Sequence, residues 1–428
     1  MSVSQNFPDE SPTLDLNFAG SKQLDPRVTF SRSSSATYMD DNGLIITAQS
    51  NVPRFDHQYA NGEVQSLGLL IEEQRVNLLL RSEELDNNAV WATDLSSVTI
   101  TSNSVMSPAG VVTADTITEA ATNTQHNRYQ SVGLVSAVPY TFSVFFKPNT
   151  VTRVSLGFGY AGIGGGGQAF FNLSSGTVIS TVASGTDPGT NLSASITPYP
   201  NGWYRCTFTV TPSRTDLTYY ASLNLRDINL NYVYQGNTSN NLYVWGAQLE
   251  QGSFPTSYIP TTTATVTRSR DDATLVGSNF TSWYKQSEGT ILCIAKYTEG
   301  NTTAQTAWSM YNGSVGAIRQ MMSPPTGTNK AYMQVEYPTG TYPVSIENGT
   351  SINRTNLVKT ACAFKTDDYA ISMNGAIVST DTSGTMSNHV NLYLGSVYTG
   401  TWILNGSIAQ LTYYPKRLSN AEIQTLSR

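Results

Sequence analysis

Two pairs of adjacent carboxylates stand in the stretch LGLLIEEQRVNLLLRSEELDNNAVW, Leu67 to Trp91: Glu72 with Glu73, and Glu83 with Glu84. Two carboxyl groups that flank one glycosidic bond can hydrolyse it, one as acid and the other as base or nucleophile. Adjacent residues on a strand point to opposite faces, so neither pair sets two carboxyls on one bond. The same residues serve better as ion-pair partners of Arg75, Arg81 or a neighbouring subunit. A helix over Leu67 to Leu80 is excluded, because its apolar positions make no single stripe. GLLI and VNLLL read as short buried strands, and RSEELDNNAVW as a joint to the segment that follows.

Other reactive residues are sparse. The histidines, His57, His126 and His389, lie far apart, so a shared metal site or a Ser-His-Asp arrangement is not expected. His57, in PRFDHQY, reads as a structural hydrogen-bonding residue. Cys206, Cys293 and Cys362 sit in apolar or alternating runs and read as buried thiols, with no zinc spacing. The pairs Asp271–Asp272 and Asp367–Asp368 have the chemistry for calcium, but solvated or capping roles in turns are the commoner use. GIGGGGQAF, Gly162 to Phe170, lacks the lysine and the helix of a phosphate loop and reads as a loop between strands. No catalytic set, metal or cofactor is expected. The remaining candidates are aromatic, since the apolar C–H faces of sugars stack on Trp and Tyr rings. Trp203, Trp245 and Trp402 fall in alternating strands and are assigned to the core. Trp308 and Tyr311 in AWSMYNG, and Tyr398 in GSVYTGTW, lie nearer turns and are the candidate sugar-binding residues.

The elements that must position these residues are strands. Only 13% of the 428 residues are charged, while there are 33 Gly and 24 Tyr. That balance argues against long helices and for pleated surfaces joined by tight turns, hence an all-β chain. YTFSVFFKP from Tyr140, WYRCTFTVTP from Trp203 and NLYVWGAQLEQG from Asn241 alternate with period two. Asn42-Gly43 and Asn374-Gly375 mark hairpin turns, and Ser419 with Glu422 forms a capping-box pattern before a short last helix. The expected division is an arm over 1–13, a small β module over 14–84, a β-sandwich over 85–260, an extended Thr- and Pro-rich linker over 261–272, and a second sandwich over 273–428. A net charge of −6 without dense Lys/Arg runs argues against nucleic acid as a partner. No apolar run reaches the ~18 residues of a membrane span. MSVSQNFPDESPT has neither the basic start nor the apolar stretch of a secretory signal, so synthesis in a cytoplasm is expected.

Three segments resemble one family of modular bacteriophage virion proteins. VTFSRSSSATYMDDNGLI…VPRFDH…SLGLLIEEQRVNLLLRSEELDNNAVW, Val28 to Trp91, is similar to the N-terminal module of tail-fibre, head-fibre and capsid-decoration proteins. YTFSVFFKP…NGWYRCTFTV…LYVWGAQLEQGSFPTSYIPTT resembles the carbohydrate-binding-module-like jelly roll that commonly follows. HVNLYLGS…WILNGSIAQLTYYPKRLSNAEIQTL, from Asn388 onward, resembles the close of a laminin-G-like, concanavalin A-like sandwich. The E-x-D-x-E strand of glucanases with that fold does not occur here. The resemblance implies a non-enzymatic virion surface protein, a homotrimer. Residues 1–84 would anchor it to other capsid or tail proteins, and its sandwiches would engage host surface glycans. A cement protein without glycan binding and a polysaccharide depolymerase are the alternatives.

Overall fold

The computed structural model describes residues 8–160, 165–185, 189–215, 218–301, 303–314, 316–322, 330–349, 354 and 356–428. Residues 1–7 of the expected arm, and Gly162 to Gly164, lie outside them. The chain is all-β, with antiparallel sheets arranged as sandwiches.

The central part of the chain forms a two-sheet sandwich. One sheet has the order His126–Gly133, Thr218–Arg226, Arg153–Tyr160, Gly165–Asn172, Thr177–Gly185. The other runs Thr190–Pro198, Tyr204–Thr211, Tyr140–Pro148, Asn241–Gln251, Val112–Glu119, Val98–Met106. Residues alternating inward, among them Phe142, Val144, Phe158, Phe171, Phe208 and Leu223, form its core. Gly165 to Phe170 is a strand paired on both sides, where a loop was expected. Four glycines in a row carry no alternation signal, and the ladder partners decide.

The second sandwich joins a seven-stranded and an eight-stranded sheet around a core that includes Trp308, Met310, Ile318, Phe364 and Tyr413. The segment expected to be a separate N-terminal module is woven into it. Leu14–Asn17 pairs with the last strand, Gly406–Tyr414, from Gln410 to Tyr413. Glu63–Ile71 pairs with the same strand from Gly406 to Ile408, and Thr29–Ser31 extends the other sheet beside Asp272–Val276. Leu14, Leu16, Phe18, Leu69 and Ile71 belong to the same core as Trp308. Gly68 permits the close pairing: its φ is +91°, and a Cβ there would lie 2.2 Å from the Ile408 carbonyl oxygen. The apolar runs in this segment are therefore sheet-filling strands of a distant domain, which local pattern does not distinguish from a module of its own.

The Asn42-Gly43 turn closes the hairpin Ala36–Met39 with Ile45–Ala48. Ile45 of that hairpin packs with Phe145, Trp203, Trp245 and Tyr258 on the outside of the central sandwich. The short last helix, Asn420–Leu426, carries the expected capping box between Ser419 and Glu422.

The expected linker is not free either. Val266–Arg268 pairs with Arg75–Asn77, and Arg268 and Asp271 are buried. They join a charge cluster where the N-terminal segment, the end of the central sandwich and the start of the second one meet. Arg54 reaches Asp271 at 2.5 Å and Glu72 at 2.8 Å; Arg32 reaches Asp271 at 3.1 Å, and Arg268 reaches Glu72 at 3.5 Å. Ser257 adds two hydrogen bonds to Glu72, from its backbone N–H at 2.8 Å and its hydroxyl at 2.7 Å. Asp271 is thus an ion-pair partner, not the solvated or capping residue its place in a turn suggested.

Burial disfavours a charge on Glu72, but Arg268, Arg54 and the Ser257 donors outweigh it and bring its pKa down to about 2. A carboxylate depressed from 4.5 in this way contributes stability above about pH 4.5 that is lost as pH falls toward 2. Glu72→Gln is expected to cost about 3–5 kcal/mol in urea denaturation at neutral pH, because two buried guanidinium groups lose their partner. The variant should also lose that part of the acid-induced decline; an unchanged acid slope counts against the assignment. A fragment starting at residue 270 lacks four strands of the second sandwich and bares its core, so circular dichroism should find it unfolded or aggregated.

Candidate functional site

Both glutamate pairs of the opening stretch are committed to structure. Glu72 holds the charge cluster, while Glu73 turns away to Arg75 at 2.5 Å and to the Asn405 side chain at 3.0 Å. Glu84 pairs with Arg81 at 2.8 Å, and Glu83 accepts from the Tyr258 hydroxyl at 3.1 Å. The histidines are spread as their spacing indicated. His57 meets the Met39 carbonyl at 3.0 Å, His126 the Ser97 carbonyl at 2.7 Å, and His389 the Tyr284 hydroxyl at 2.9 Å. All three cysteines are buried and unbonded. Asp368 pairs with Arg417 at 2.8 Å, and no group of three or more metal-ligating side chains occurs among the described residues.

A cavity of about 440 Å³ lies beside the charge cluster, between the sandwiches, and Asp56, Glu72, Arg205, Lys296 and Glu299 are among the residues around it. Burial pushes the Asp56 carboxyl up to about 6, beside an ionised Glu72. Such a split can mark an acid–base pair. Here Glu72 Oε2 is engaged by the Ser257 hydroxyl, Arg54 and Arg268, and Oε1 accepts from the Ser257 backbone N–H, so the carboxylate is held as an ion-pair partner.

The three candidate aromatic residues part company. Trp308 is fully buried between the sheets of the second sandwich and is no sugar platform. Its strand, Gln305–Tyr311, sits in the middle of the seven-stranded sheet, and its alternation puts Trp308 and Met310 inside. Tyr311, one residue further, falls on the outer face. There it stacks on Tyr398 with centroids 3.8 Å apart and planes inclined by 3°. The Tyr398 phenol is pushed up by burial and by the nearby charge of Glu336.

Four further residues complete this outer face, and local pattern had not marked them as a site. Arg319, buried on strand Ala317–Met322, lies between two rings: its guanidinium carbon is 5.4 Å from the Tyr342 centroid and 4.9 Å from that of Trp402. Glu336 holds it from the next strand at 3.0 Å. Trp402, assigned to the core from sequence, is 36% exposed, and Tyr342 is 42% exposed. Trp402 precedes the strand Gly406–Tyr414 but stands outside any strand, at a positive φ of 49°, so the alternation of that strand does not reach it. The result is a shelf of half-exposed rings around an anchored charge pair. It offers apolar faces for C–H stacking, and donors and acceptors for hydroxyl groups.

No family model and no curated protein matches the chain. Solved structures match parts of the chain. The CBM40 of the Ruminococcus gnavus IT-sialidase, bound to alpha2,3 sialyllactose, is 18% identical with a TM-score of 0.31, over 35% of this chain and 88% of that one. The binding domain of botulinum neurotoxin DC, in complex with rat synaptotagmin II, is 13% identical with a TM-score of 0.28, over 37% and 40%. A Trypanosoma rangeli sialidase in complex with the inhibitor DANA is 10% identical with a TM-score of 0.26, over 73% and 60%. The neighbours include carbohydrate-binding modules and β-sandwich, lectin-like domains. At these scores the likeness bears on no particular residue of this chain.

Trp308→Ala and Trp402→Ala separate core from shelf. The first should cost about 3–5 kcal/mol by the cavity it leaves. The second should cost under about 1 kcal/mol, as is usual for exposed positions. Comparable losses in urea titrations of the two variants would mean that Trp402 is also structural.

Proposed function

We propose that this chain is a non-enzymatic surface protein of a bacteriophage particle, of fibre or decoration type, that engages host surface glycans through the outer face of its second sandwich. The observation that carries the glycan reading is the shelf of Tyr311, Tyr398, Tyr342 and Trp402 around the Arg319–Glu336 pair. Aromatic faces supply the apolar contact, and the fixed charge pair supplies directional hydrogen bonds without a rearrangement cost. The particle assignment rests on the resemblance of Val28 to Trp91 to virion modules.

In this reading the protein is a homotrimer on the particle. A shallow site of this kind binds weakly, and a Kd near ~1 mM is worth only about −4 kcal/mol. Repetition on a particle converts such binding into useful avidity through effective concentration. Because Leu14–Asn17 and Glu63–Ile71 are built into the second sandwich, attachment to the particle falls to the arm, residues 1–13, and to the outward surface of the segment behind it.

A glycan array probed with the full chain tests the shelf. Binding to at least one host-surface glycan is expected, falling tenfold or more in Tyr398→Ala and in Trp402→Ala at unchanged thermal stability. Binding that survives both changes moves the site elsewhere, and an array with no binding favours the cement-protein reading. Removal of residues 1–13 should leave the fold intact and abolish incorporation into particles; normal occupancy of the truncated protein would place the anchor on another surface.

A further inference from the structure

The outer face of the five-stranded sheet in the central sandwich holds a second constellation. Along strand Thr218–Arg226, Tyr220, Ser222, Asn224 and Arg226 share that face, a row of roughly 20 Å at the usual strand rise. Tyr129, opposite Ser222 on the neighbouring strand, packs against Tyr220 with centroids 4.7 Å apart. At the far end Arg226 lies between Phe170, 5.3 Å from its guanidinium carbon, and Tyr232, 4.5 Å from it. Tyr232 is 44% exposed, whereas Arg226 is only 3% exposed.

Two features of this row are unsatisfied. Of the buried arginines, Arg32, Arg54, Arg268 and Arg319 each meet a carboxylate within 3.5 Å, whereas Arg128 and Arg205 donate to neutral groups. Arg226 meets no carboxylate among the described residues. It donates to neutral acceptors: the Ser155 hydroxyl at 3.0 Å, the Gln168 amide oxygen at 2.7 Å and the Asn231 carbonyl at 3.4 Å. A guanidinium has five N–H donors, so part of its fork stays free. Two strand positions away on the same face, the buried Asn224 has a side-chain oxygen without a donor. A buried cation with no carboxylate within ion-pair distance, beside a buried acceptor lacking a donor, is a costly pair to maintain for the fold alone. One ligand answers both: a sugar that carries an oxyanion next to a hydroxyl.

We infer that this row is a second saccharide site, specific for acidic sugars, in which Arg226 seats a carboxylate or sulfate substituent, Asn224 accepts from a neighbouring hydroxyl, and Tyr232 stacks on the ring. The planar fork of arginine matches either oxyanion in two-point fashion. The inference extends the glycan-binding reading but uses none of the residues of the shelf.

Isothermal titration of the full chain with three oligosaccharides of equal length tests it: an oligouronate, a sulfated glucan and the plain glucan. The oligouronate or the sulfated glucan should bind at least tenfold more tightly than the plain glucan, and which of them does identifies the oxyanion. Affinity should fall tenfold or more in Arg226→Lys, which keeps the charge but loses the fork. It should also fall in Tyr232→Ala, an exposed position whose loss leaves the fold intact. Trp402→Ala should leave acidic-sugar binding unchanged. Failure of both acidic probes to bind overturns the inference, as does acidic binding that ignores both Arg226→Lys and Tyr232→Ala. Acidic binding lost only in Trp402→Ala assigns the sugar to the shelf, so this site would fail while the glycan reading stands. Binding that depends on Arg226 and Tyr232, with no glycan lost in shelf variants, establishes this site and removes the shelf as a sugar platform.

Discussion

Five buried charges hold the chain in its arrangement. Arg32 and Arg54 come from the N-terminal segment and Glu72 from its last strand's exit, while Arg268 and Asp271 come from the stretch that leads into the second sandwich. Ser257, at the end of the central sandwich, closes the set through Glu72. Buried ion pairs gain little over apolar packing, but each partner left alone is strongly destabilising. The cluster therefore acts as a lock on register: the three parts of the chain must meet in one way, or a charge is stranded away from water.

Everything near the joint follows from that demand. Glu72 is held there as an ion-pair partner of Arg54 and Arg268. The neighbouring stretch Phe254 to Thr261 packs down with it, so that Glu250 receives the backbone N–H of Thr256 at 3.0 Å and Asn77 donates to the Ile259 carbonyl at 2.8 Å. Strands Tyr140–Pro148 and Asn241–Gln251 look amphipathic in sequence, yet most of both faces is buried. Their second face is covered by Ile45 of the N-terminal hairpin and by Tyr258. The charge cluster and these inner surfaces are taken up by packing, which leaves the outer faces of the sheets. Both candidate sugar sites lie there, each combining strand positions that alternation turns away from a core with rings outside the strands, Tyr342, Tyr398 and Trp402 in one and Tyr232 in the other.

Part of this was legible. Period-two alternation and turn residues identified several strands of both sandwiches, the hairpin at Asn42-Gly43 and the capped helix after Ser419, because each depends on neighbours within a few residues. The burial of Trp203 and Trp245 followed from the same rule, as did the divergence of Glu72 from Glu73. Trp308 lies close to a turn in sequence, which suggested a loop edge, but the parity of its strand overrides that proximity; it shares a face with Met310 and so points inside. Arg319, Glu336 and Arg226 gave no local signal, since a lone charged residue in a strand looks the same whether solvated or buried.

The sequence by itself determined the all-β class and the strands with clean alternation, since these rest on residue type and short-range period. Only the tertiary structure decided that Leu14–Asn17 and Glu63–Ile71 complete a sandwich whose last strand lies more than 300 residues away. It alone brought Tyr311 against Tyr398 and Arg319 between Tyr342 and Trp402. The physical reason is that antiparallel ladders are non-local. Which strand fills an edge is settled by complementary backbone, apolar and charged partners across the whole chain, and no window of sequence contains both sides of that choice.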